Sequence, residues 1–103
     1  MENVVTTHAK KRIKERLGIP YKSAQRQFDL AIERNILRQK ELSADFMNWV
    51  YQAIESQDTK TIQRDIAVFN NSVFVYGIDT VSDRRVLVTV LNIPNEYRKY
   101  LED

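Results

Sequence analysis

His8, Arg12 and Arg16 recur at every fourth position of the stretch His8-Ala9-Lys10-Lys11-Arg12-Ile13-Lys14-Glu15-Arg16-Leu17. On a helix that spacing stacks them in one polar stripe. An imidazole exchanges a proton near neutral pH, and guanidiniums fork onto anionic oxygens. Arg12 and Arg16, with Lys11 beside them, could therefore hold a phosphate, and His8 could move a proton next to it. Glu15 competes, because it sits within one turn of both Lys11 and Arg12 and could tie up either as a local ion pair. His8 also has a plain structural role open to it, as a residue that packs or caps at a helix start.

Other candidates lie further along the chain. Tyr76 falls in the middle of an apolar β-prone run, and Arg85 follows a polar hairpin loop; together they could complete a groove for RNA. Trp49 falls beside the apolar stripe of a third helix rather than on its centre. With Tyr51 it could form an exposed anchor for a protein partner, or it could be an edge residue of the core.

The elements that must carry these residues are legible from periodicity. Ala9, Ile13 and Leu17 give the first helix its apolar stripe, Thr6 or Thr7 can cap it, and Gly18 fits the residue after its last turn. A second helix is expected from about Pro20 to about Asn35 on Ala24, Phe28, Ala31 and Ile32. Residues 36–42 look like a connection. A third helix, capped by Ser43 and running to about Ser56, turns Phe46, Met47, Val50, Tyr51 and Ile54 inward. Strands then follow at Ile66–Phe69, Val73–Ile78 and Arg85–Ile93, with turn chemistry at Asn70-Asn71-Ser72 and a polar loop from Asp79 to Arg84. The run Arg85–Ile93 is apolar enough for a central strand covered on both faces. Pro94 ends it, and a last helical turn holds Tyr97, Tyr100 and Leu101. Helices followed by a meander imply one α+β domain over residues 1–103, with N-terminal helices packed on one face of a three- to four-stranded antiparallel sheet.

Composition narrows the chemistry. The chain has 103 residues, no cysteine and one histidine, which excludes disulfides and thiolate chemistry and makes a metal site an unpromising reading. No cofactor pattern is present. No apolar run nears the length of a membrane span, and the N-terminus lacks the positive-then-apolar order of a signal peptide, so a cytoplasmic location is expected. The net charge of +2 is unevenly spread. Residues 8–40 carry ten Lys and Arg against three acids, net +7, whereas residues 41–103 carry six against ten, net −4. One basic surface that meets phosphates or an acidic protein is the implied consequence.

The match of His8, Ala9, Arg12, Glu15, Arg16, Leu17 and Gly18, followed by Leu87, Thr89, Val90, Leu91 and Pro94, resembles small phage and mobile-element proteins. These open with His-Ala-x-x-Arg-x-x-Glu-Arg-Leu-Gly and close with Leu-x-Thr-Val-Leu-x-x-Pro. More distantly, the layout resembles the RelE-type ribonuclease toxins, whose RNA lies on the sheet among Arg, Lys and Tyr. Here the densest basic set falls on the first two helices instead. The resemblance implies a protein acting in a host cytoplasm that binds an RNA or DNA backbone through a basic helical face, with a RelE-like ribonuclease as its catalytic version. It equally implies an anti-defence inhibitor of the anti-CRISPR type, docking on a host defence nuclease through Trp49 and Tyr51.

Overall fold

A computed structural model describes residues 1–55 and 64–101. After a short strand β1 (Glu2–Val5), helix α1 (Thr7–Leu17) starts where the Thr6 hydroxyl accepts the Ala9 amide at 3.1 Å. It stops at Gly18, whose φ of 68° lies in the left-handed region that costs glycine nothing. Helix α2 (Ala24–Glu33) begins four residues later than Pro20, because Tyr21–Ser23 form a 3₁₀ turn first. A second 3₁₀ turn, Ile36–Arg38, occupies the expected connection. Helix α3 spans Ala44–Glu55; Ser56, where the sequence would end it, lies outside the described residues. Strands β2 (Arg64–Phe69), β3 (Ser72–Asp79) and β4 (Arg84–Asn92) follow, then a short helix α4 (Asn95–Arg98) and a final 3₁₀ turn, Lys99–Leu101.

The α+β class read from the sequence is the class observed, with two differences of layout. The sheet has four strands in the order β1-β4-β3-β2, and β1 runs parallel to β4 while the other pairs are antiparallel. The helices also divide between its faces. Val5, Ala9, Ile13, Ala24, Phe28 and Ala31 bring β1, α1 and α2 onto Phe74, Tyr76, Leu87 and Val90. Phe46 and Val50 bring α3 onto Ile66, Val68, Val73 and Val75 on the opposite side. A strand turns alternate side chains to opposite faces, and β2 and β3 are apolar on both, so each face needs its own cover. The hairpin between them uses Asn70 and Asn71 at φ 51° and 58°, a turn whose twist suits adjoining strands.

Strand β4 is internal, as its apolar run implies, but it is not covered on both faces along its whole length. Val75 pairs with Thr89 and Tyr76 with Leu87, so Val88 is an extra residue in β4, a β-bulge. Val86 and Val88 are left half-buried, on a part of the sheet that α3 does not reach. No helix among the described residues is long and apolar enough to cross a membrane.

Side chains from the first helical layer and its cap cover part of the outer edge of β2 and part of the stretch of β4 that β1 leaves unpaired. On β2 the buried Asn35 acts as a stand-in strand: its Oδ1 accepts the Val68 amide at 2.9 Å, and its Nδ2 donates to the Ile66 carbonyl at 3.4 Å. On the other side β1 covers β4 only from Arg84 to Leu87. Beyond that, the Thr6 hydroxyl donates to the Leu87 carbonyl and Arg16 Nη1 donates to the Val90 carbonyl at 2.7 Å. Unpaired strand edges template association, and these contacts blunt them.

Candidate nucleic-acid interface

The basic segment of the sequence supplies one layer of the structure. Helices α1 and α2 share a face of the sheet, and residues 7–34, which hold both helices and the turn between them, carry eight Lys and Arg against three acids, net +5 of the +7 of residues 8–40. Within that layer the His8–Arg12–Arg16 stripe has unequal members. His8 is exposed at the first turn of α1. Arg12 Nε donates to His8 Nε2 at 3.5 Å, a bond that needs the neutral imidazole, and Arg12 Nη1 pairs with Glu15 at 3.2 Å. Lys11 Nζ stands 3.9 Å from the same carboxylate. Glu15 thus takes up both cations, as its spacing allows, though these surface pairs are weak and open to exchange for a phosphate.

Arg16 is committed elsewhere. Its guanidinium reaches over the open edge of β4 to the Val90 carbonyl and the Thr89 hydroxyl, and its own carbonyl accepts from Asn92 Nδ2 at 2.8 Å. A part-buried donor held on a strand edge positions α1, so withdrawing it to meet a phosphate would give up the bond that docks the helix there.

The cations best placed for an anion were not singled out from the sequence. Lys22, Arg26 and Arg34 are exposed and have no ion pair among the described residues. Lys22 lies in the 3₁₀ turn that leads into α2, Arg26 in the first turn of α2 and Arg34 just past its end. The sequence signal for them is the basic excess of residues 8–40, since Lys22 and Arg34 lie outside the helix that carries Arg26. Lys14 adds a further exposed charge, its Nζ 5.2 Å from the centre of the Tyr21 ring.

Tyr76 and Arg85 do come near each other, in a setting unlike an open groove. The Tyr76 side chain belongs to the core, 4% exposed, with its ring 5.8 Å from that of Phe28. Burial pushes its phenol above the ordinary value of 10.0, and the carboxylate of Asp65, its cross-strand neighbour, pushes it further. Arg85 and Arg38 pull the other way. A core ring offers no face for a base to stack on. Arg85 is half-buried and donates to Asn3 Oδ1, while Asn3 Nδ2 and Gln25 Nε2 both donate to Asp29. This chain of bonds ties β4 to β1 and β1 to α2.

On the opposite face, Trp49 is half-buried and stacks on Tyr97 with 5.5 Å between ring centres and 27° between planes. Tyr51 does not turn inward as its place in the sequence stripe implies; it is 56% exposed. Two residues along a helix point in widely different directions, so Trp49 and Tyr51 do not form one patch.

No protein-family model, curated protein or solved structure matches the chain.

Proposed function

We propose that this protein binds the phosphate backbone of nucleic acid across the α1–α2 layer. The observation that supports it is the grouping of the basic segment on one side of the sheet, with Lys22, Arg26 and Arg34 exposed and unpaired among the described residues. Each phosphate neutralised by such a cation releases counterions, which makes binding steeply dependent on salt and indifferent to base sequence. Arg12 and Lys11 join the contact by trading Glu15 for phosphate, and Arg16 holds the helix that presents them.

The test is a salt titration of binding to labelled single-stranded RNA and to duplex DNA, followed by fluorescence anisotropy. The double variant K22A/R26A is expected to lower affinity and to flatten the log–log salt slope by about one to two units. Arg16→Ala is expected to leave the slope nearly unchanged and to lower the melting temperature instead. An unaltered slope in K22A/R26A, or no binding by the wild type at about 50 mM salt, overturns the proposal.

A further inference from the structure

The side of the molecule away from the basic layer holds a groove of about 380 Å³ between α3 and the C-terminal turns. Its aromatic wall is built from Trp49, Tyr97 and Tyr100, and Asp45, Glu96 and Lys99 stand along it. The rings form a continuous series. Fully buried Phe46 lies 6.0 Å from Trp49 and meets Tyr97 at 73°; Trp49 stacks on Tyr97; Tyr100 follows 6.2 Å beyond. Phe46 anchors the series in the core, so the outer rings are held in place before any ligand arrives.

The chemistry of this wall favours cations. Aromatic faces carry negative potential, and an ammonium or guanidinium settles over them. One already does so: Lys99 Nζ lies 5.2 Å from the centre of the Tyr100 ring. Asp45 and Glu96, both exposed, set two carboxylates against the single cation of the lining, Lys99, and α3 carries no lysine or arginine. Two carboxylates repel a phosphate chain, so the groove is unsuited to the ligand of the opposite face. A guanidinium fits better than an ammonium, because it is planar, stacks on a ring and donates in parallel to a carboxylate.

We propose that this groove docks an arginine-bearing segment of a partner protein, with a guanidinium against Trp49 or Tyr100 and its donors on Asp45 or Glu96. The site is independent of the phosphate-binding face, so either can fail without the other.

Trp49 is the single tryptophan of the chain, so its emission reports on the groove directly. The full-length protein is titrated with an oligo-arginine peptide, with oligo-lysine, oligo-glutamate and poly(U) RNA as comparisons. A saturable change in emission with oligo-arginine is expected, several-fold weaker with oligo-lysine and absent with oligo-glutamate. The variant D45N/E96Q should weaken the oligo-arginine response at least tenfold while its melting curve stays cooperative, and Tyr100→Leu should weaken it independently of charge. Four results would overturn the proposal. They are no response to oligo-arginine, an equal response in D45N/E96Q, a response to poly(U) of the same size, and self-association in sedimentation that the same variant abolishes. The last would make a second copy of the chain the occupant.

Discussion

The two helical layers solve the same interior problem with different parts. On one face, small residues (Ala9, Ala24 and Ala31) let α1 and α2 lie close to the sheet around Phe28 and Ile13. On the other, α3 alone covers its part with Phe46 and Val50, helped by aromatic and aliphatic side chains of the C-terminal turns. Outward, the first layer is cationic and the second is aromatic and acidic. Burial constrains only the inner stripes, so the outer stripes were free to diverge, and it is there that the layers differ. A sheet between them keeps the two chemistries on opposite sides.

The largest expected effect tests the uneven cover of β4. Val90 is wholly buried beneath the first layer, while Val88, at the bulge, is half-buried beyond the reach of α3. Val90→Asp places an unpaired charge in the core and should abolish cooperative thermal unfolding. Val88→Asp should still fold and melt cooperatively at a lower temperature. If the two variants behave alike by circular dichroism, the two faces of β4 are equally closed and the contrast fails.

A smaller effect compares the two protected edges. Asn35→Ala removes both bonds to β2 and leaves a buried amide and carbonyl without partners, so it should cost about 2–3 kcal/mol in urea unfolding. Arg16→Ala should cost about 1 kcal/mol, since water can reach the partly open edge of β4. Equal costs would show that both edges are dry.

The smallest effect concerns Tyr76. Its phenol is raised in the folded state, chiefly by burial and next by Asp65, so the fold favours the protonated form. That preference contributes fully below 10.0, the ordinary value, and is lost as pH rises from there through the folded value. An ultraviolet titration should show a late phase that Tyr76→Phe removes, along with part of the alkaline loss of stability. A titration curve left unchanged by Tyr76→Phe in its late part would place the ring outside the core.

Local patterns made α1 legible almost to the residue, because capping by Thr6, a four-residue apolar period and Gly18 all act within a few residues of one another. The hairpins were legible for the same reason. Strand β1 was missed: four residues are too few for a pattern, and their pairing partner lies in β4, with no turn between them to announce it. The groove on the second face was missed likewise, since Trp49 comes from α3 and Tyr97 and Tyr100 from beyond the sheet. Within the candidate interface, spacing placed Arg12 and Arg16 on one stripe but could not say that a bare strand edge would claim Arg16. Tyr76 in an apolar run carried a plain core signal, and the core is where it lies.

The parallel pairing of β1 with β4 also fixes an order of events in time. Asn3 and Arg85 lie 82 residues apart in sequence and adjacent in the sheet. During synthesis, at roughly 5–20 residues per second, β1 emerges early and finds no partner for several seconds. Closing so long a loop carries an entropy cost that only later contacts repay. Helices α1 and α2 wait with it, because the strands their apolar stripes cover are made last. Their many like charges then have a second use, keeping an unfinished chain from adhering to its neighbours until β4 arrives.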